Sequence, residues 1–238
     1  MKNSLRMNIV TNLILFLVVV AVGAVCFFPL GVSTAGKLSD RVYYGGDRES
    51  SYVSLMFNVY GGDDYLPSIL DTLDKYEVKA TFFFGGCWAD DHGGTVKEIA
   101  DRGHEIANHG YFHKDQDKLS FEANKAEIET CGALLKTLTG RDILLFAPPS
   151  GAYSEKTVDA ADVLGYKVIM WSKDTIDWRD KDENLIYKRA TENVKSGDLI
   201  LMHPTECTAK ALDAVLQRYK DLELKQVPVS VNIGTEQI

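Results

Sequence analysis

Between residues 52 and 231 the chain repeats one pattern. A short, almost wholly apolar run is followed by a polar or glycine-containing break, then by a segment with apolar residues at helical spacing. Continuous apolar strands are buried on both faces, and helices between them join parallel neighbours. The strand-like runs are 52–60, 79–84 (KATFFF), 105–107, 143–146, 166–171 (YKVIMW), 198–202 (DLILM) and 227–231. Helical spacing covers 66–76, with Leu66, Ile69, Leu70 and Leu73 on one face, and then 95–102, 121–139, 155–164, 184–194 and 209–219. Gly103, Gly140 and Gly165 close three of these segments. About seven strands with intervening helices predict an α/β fold, a closed or nearly closed barrel, with an open doubly wound sheet as the alternative.

Polar residues, glycines and prolines collect just after the strands. Asn58-Val59-Tyr60-Gly61-Gly62-Asp63-Asp64 follows the first, and Asn108-His109-Gly110-Tyr111-Phe112-His113 the third. Later strands lead into Ala147-Pro148-Pro149-Ser150-Gly151, Asp174-Thr175-Ile176-Asp177-Trp178 and His203-Pro204-Thr205. In a β/α barrel these C-terminal strand ends converge on one pocket. His109 and His113, at i and i+4, can present two imidazoles to one divalent ion. As a bare spacing such a pair is more often a surface or core feature; its place at a barrel mouth favours a metal. His203 suits a general acid or base, because imidazole titrates near neutral pH. Asp174 is its expected carboxylate partner, and Asp177 is expected to cap or pair near Trp178. His104, at a strand entrance, reads as structural, and His92, beside Asp90 and Asp91, as solvated.

Ahead of this region lies a different composition. From Leu13 to Val32 there are 20 residues without a charge, enough as a helix to cross a hydrocarbon layer of about 30 Å. Lys2 and Arg6 precede it, so the expected topology is a cytoplasmic N-terminus (1–12), a transmembrane helix (13–32), a linker (33–50) and an extracytoplasmic domain (51–238). A cleaved signal peptide ending near Ser33-Thr34-Ala35 is the alternative and gives a secreted domain. Val25 before Cys26 argues against lipoprotein processing. Outside that N-terminal region, 24 basic residues face 34 acidic ones. An acidic domain is poorly suited to nucleic acid or anionic lipid, and compatible with a neutral or cationic glycan. Cys87, Cys131 and Cys207 are widely spaced and odd in number, which excludes a complete disulfide framework. Oligomeric state is left open.

Taken together, FNVYGGDDY, KATFFFGG, GHEIANHGYFH, FAPPSGAY, DTIDW and LILMH resemble the polysaccharide deacetylase family, the NodB-homology carbohydrate esterases, and within it the sporulation-type branch. The resemblance covers about residues 50–235. It implies a distorted (β/α)7 barrel, a divalent metal (zinc first, cobalt or manganese as alternatives), and removal of acetyl groups from peptidoglycan, chitin-like glycan or xylan. Carried over, His109 and His113 are the metal histidines, His203 the general acid and Asp174 its tuning carboxylate. Trp178 and Leu201 become walls of the acetyl-methyl pocket, the Ser150 amide the oxyanion donor, and Tyr153 a support of that loop.

Three positions depart from the family pattern. Asn58 stands at the aspartate base, Val59 at the metal aspartate and Ala147 at the arginine that orients the base. An amide does not accept a proton at neutral pH, and valine does not bind a metal. Two expectations follow. A hydrolase with a rebuilt or weakened site would recruit Asp63, Asp64 or Asp115, with Cys207 as a remote ligand. A pseudoenzyme would bind glycan or a protein partner in the same cleft.

Overall fold

The computed structural model describes residues 12–17 and 38–235. Two compact units divide at Gly36 and Lys37. In the first, residues 12–17 are helical and exposed; most of the expected membrane segment lies outside the described residues. No helix among those described is long and apolar enough to cross a membrane.

The second unit is built on parallel strands. β2 (Tyr52–Val59), β3 (Thr81–Phe84), β4 (Glu105–Asn108), β5 (Leu145–Phe146), β6 (Lys167–Ile169), β7 (Lys173–Asp174) and β8 (Leu199–Met202) are joined by β1 (Val42–Tyr43) and β9 (Lys225–Gln226). Their order is β1-β6-β5-β4-β3-β2-β8-β7, with β9 on β2, and every pairing is parallel. This fits a distorted β/α barrel whose strand path ends at β1 and β7.

Strand alternation sorts the side chains into two layers. Phe57, Phe82, Phe84 and Ile200 face outward into the helix-packed core. Met56, Phe83, Ala107, Leu145, Ala147, Ile169 and Leu199 fill the inside. Because both faces are buried, the runs read as continuous apolar strings rather than as an alternation.

The helices Leu66–Lys75, Phe121–Thr139 and Glu155–Val163 lie close to their expected bounds. For the second the cause is local: the Ser120 hydroxyl accepts from Ala123 N, and Gly140 closes the end at φ 69°. Three expectations change. The stretch expected as linker contributes β1, which pairs with β6, and Arg41 reaches Asp159 at 2.7 Å. The helix Gly86–Asp91 was not expected. The run 227–231 is not a strand, because Pro228 cannot donate to a ladder and a short helix, Val229–Asn232, follows it. Val229 instead packs inside the strand layer, and its N–H donates to Thr81 Oγ1 at 2.8 Å. It closes the end opposite the functional residues.

Candidate active site

Strand direction places Asn58, His109, Ser150, Asp174, Leu201 and His203 at one end of the sheet. With His113, Trp171 and Trp178 they line a cleft of about 490 Å³. A larger hollow, about 870 Å³, lies between Lys75 and Asp213 among exposed charges, and it contains none of these residues.

His109 follows β4 and is 2% exposed. Its Nδ1–H donates to the Ala147 carbonyl at 2.8 Å, which leaves the Nε2 lone pair free. Burial, reinforced by neighbouring His113, holds its pKa down at about 3. His113 is also pushed down, chiefly by burial. The two rings are 5.1 Å apart and inclined at 69°. Both imidazoles therefore favour the neutral form, the one that can act as a ligand.

Two structural devices hold this loop. Glu127, buried on the helix Phe121–Thr139, accepts from Tyr111 N at 3.0 Å and Phe112 N at 2.8 Å, and pairs with Lys114 at 2.8 Å. Asn108 donates to the Ile128 carbonyl and accepts from Gly110 N. Between them they fix a turn in which His113 takes φ 52°. Tyr60 lies against the far side of His113, with ring centroids 4.6 Å apart.

On the opposite wall is His203. Its Nδ1–H donates to Asp177 Oδ1 at 2.7 Å, so Nε2 is the nitrogen left without a protein partner. Asp177 Oδ2 also accepts from His203 N at 2.6 Å and from the Thr208 hydroxyl at 2.5 Å. This corrects the expected pairing. Asp174 lines the cleft, but its Oδ1 accepts from Ile176 N at 2.8 Å and supports the turn at Ile176, φ 55°. A carboxylate three residues further on serves His203, because that turn redirects the chain beneath the ring.

The remaining residues divide. Trp178, 59% exposed, and Leu201, 3% exposed, both line the cleft. Ser150 lines it too, on a left-handed turn at φ 56° between Pro149 and Gly151. Tyr153 does not line the cleft; its hydroxyl meets that of Tyr44 at 2.6 Å. His104 is structural: Ala80 N donates to its Nδ1 at 3.2 Å. His92 is half-buried rather than solvated, stacked on Trp88 at 4.3 Å. Trp171, Tyr60 and Glu127 were missed. Trp171 ends the YKVIMW run, so the strand-end pattern already contained its signal.

The departures also have defined places. Asn58 faces the cleft, and its Oδ1 is buried without a hydrogen-bond partner. Val59, one residue on, points the other way into the outer core. Ala147 is buried among the inner apolar side chains. None of the candidate replacement carboxylates lines the cleft. Asp63 accepts from Trp88 Nε1 at 3.4 Å, and Asp115 pairs with Lys118 at 2.5 Å, while Asp64 belongs to the short turn Asp63–Tyr65. Cys207 sits in the first turn of the helix Glu206–Asp221, away from the two histidines. Among the described residues no three His, Cys, Asp or Glu side chains are grouped to hold a metal. A catalytic zinc takes three protein ligands. The two imidazoles fit as ligands, but the donor set as a whole does not fit such a centre.

Comparison with known proteins agrees with this geometry. A family model described as polysaccharide deacetylase matches residues 45–169. The uncharacterized protein YlxY of Bacillus subtilis is 35% identical over 78% of this chain, which spans only 58% of that relative. Peptidoglycan-N-acetylmuramic acid deacetylase PdaA of the same organism is 29% identical, over 76% of this chain and 70% of its own length. The crystal structure of BA3943, described as a CE4 family pseudoenzyme from Bacillus anthracis, superposes with a TM-score of 0.79 at 32% identity, covering 83% of this chain and 70% of that one. A mutant of BA3943 described as having restored enzymatic activity matches equally well, at 30% identity over 83% and 72%.

Proposed function

This chain belongs to the polysaccharide deacetylase family, and from that premise we propose that it binds N-acetylated cell-wall glycan in the strand-end cleft without appreciable hydrolysis of the acetyl group. The observation that carries this reading is Asn58. The residue facing the cleft at the base position is a carboxamide, and Asp174, the carboxylate on the cleft wall, is engaged in the turn at Ile176. Loss of a general base costs about 10²–10⁴ in rate. The incomplete donor set at His109 and His113 removes a second contribution, since the metal in this family polarises the acetyl carbonyl.

What remains is suited to holding the acetamido group. Trp178 and Leu201 offer apolar walls to the methyl group. The amide of Ser150, a residue of the cleft wall, would donate to the carbonyl. His203, fixed by Asp177, presents Nε2 to the same space. PdaA is named for acting on peptidoglycan and BA3943 is called a pseudoenzyme; both support a cell-wall glycan as ligand and a disabled reaction centre. The uncharged segment 13–32 would hold the domain at the outer membrane face, where that glycan lies.

Titration of N-acetylglucosamine tetramer into the full chain in detergent tests the binding. Saturable binding is expected, weakened at least tenfold by Trp178→Ala, which removes the exposed aromatic wall. Absence of binding to acetylated oligosaccharides of both chitin and peptidoglycan type would remove the reading.

A further inference from the structure

Asn58 is the last residue but one of β2, and the residue before it, Phe57, pairs with Met202 at the end of β8. Asn58 and His203 are therefore neighbours across adjacent strands. The Asn58 side chain is 5% exposed, and what it does expose lines the cleft. Its Oδ1 end is sealed from solvent and accepts no hydrogen bond. The polar group that it presents to the cleft is thus the other end, Nδ2, which carries two N–H donors. An unpaired buried oxygen costs stability that an apolar side chain of the same shape would avoid. In a native fold such a group calls for a reason, and the exposed end of the same carboxamide supplies one.

A second observation meets the first. His109 and His113 line the cleft, but the third ligand that a catalytic ion needs is missing from the same wall. Val59 points into the outer core, and Asp174 is engaged in the turn at Ile176. Asn58 does not complete the set, because its oxygen is the sealed end. A bound ion would polarise an acetyl carbonyl by accepting its oxygen as a ligand. On this cleft wall the groups able to meet that oxygen are N–H donors, Asn58 Nδ2–H and the Ser150 amide. A hydrogen bond from such a donor gains strength where water is excluded.

We propose that the Asn58 carboxamide takes the place of the ion in recognising the acetyl group. Nδ2–H donates to the acetyl carbonyl oxygen, the acetamido group is held by hydrogen bonds alone, and no bond is made or broken. The ligand class selected is an N-acyl sugar whose acyl oxygen is free to accept. The inference rests on the glycan binding proposed above.

Titration of the full chain in detergent tests it, with chitotetraose and with its N-thioacetyl analogue, in which sulfur, a weaker acceptor, replaces each acetyl oxygen. Each titration is run in EDTA and again with added Zn²⁺. Chitotetraose is expected to bind equally well in both media and more tightly than the thioacetyl analogue. Asn58→Leu should shrink that preference for oxygen roughly fivefold, the size of one neutral hydrogen bond. A merely structural loss would weaken both ligands alike and leave the preference unchanged. Asn58→Asp keeps the shape and an acceptor but has no donor, and should weaken chitotetraose binding by roughly fivefold or more. It also carries the test if the leucine variant does not fold. Binding by the unmutated chain that requires Zn²⁺, an undiminished preference in Asn58→Leu, or undiminished affinity in Asn58→Asp would each overturn the inference and leave glycan binding intact. Failure of the unmutated chain to bind either ligand in either medium would remove both readings.

Discussion

Asp177 satisfies three donors at once, two from His203 and one from Thr208, and it is only 2% exposed. Its removal strands a buried N–H and a buried hydroxyl, so Asp177→Ala is expected to cost about 3 kcal/mol of stability. Asp174→Ala, which loses one turn contact, should cost less than about 1.5 kcal/mol. Urea unfolding of the two variants checks the order; equal losses would mean that the carboxylates share His203. His104 makes a separate prediction. Burial, with help from nearby Lys79, lowers its pKa from 6.5 to about 4. The unfolded chain takes up that proton as pH falls through 6.5, whereas the folded chain refuses it until about 4. The stability contribution is thus complete above pH 6.5 and declines between 6.5 and 4, by about 3 kcal/mol in all. His109 and His113 add changes of the same sign, so the three must be separated by mutation. His104→Asn should flatten the pH dependence of the urea midpoint across that window, and an unchanged slope would contradict the assignment.

At the scale of elements, the turn carrying His113 is held by the helix that follows it, through Glu127. Glu127→Ala removes two backbone acceptor contacts and an ion pair from a buried position. The expected cost is about 2–4 kcal/mol, with faster hydrogen exchange at residues 110–116. Glu129→Ala, on the exposed side of the same helix in an i,i+4 pair with Lys125, should cost less than about 0.5 kcal/mol. Helix 121–139 was legible because its closing glycine and its apolar spacing agree. Glu127 was not, because spacing assigns a face but does not say which polar residue on it folds back onto the preceding turn. The same limit explains Asp174 and Asp177: both sit at one strand end, and only the turn at Ile176 decides which lies beneath His203. Val229 shows the opposite error, where β-branched residues suggested a strand that Pro228 prevents.

For the whole molecule, the parallel sheet sets the polarity of function. Apolar side chains fill its inside, Val229 closes one end, and the strand termini gather the polar residues at the other. That arrangement was readable from where the polar residues fall after each apolar run. So was the departure at the base position, since Asn58, with Val59 and Ala147, stands out against motifs kept elsewhere. The inability of Asp63, Asp64 and Asp115 to replace it was not readable, because their partners, Trp88 and Lys118 among them, are set by loop geometry. The central claim is that the glycan is held and leaves with its acetyl groups in place. Acetate release is the direct measurement, using the full chain with N-acetylglucosamine and peptidoglycan oligosaccharides and added Zn²⁺, Co²⁺ or Mn²⁺. The account predicts no release above the uncatalysed rate at glycan concentrations that saturate binding. Repeated turnover that disappears in His109→Ala would contradict it.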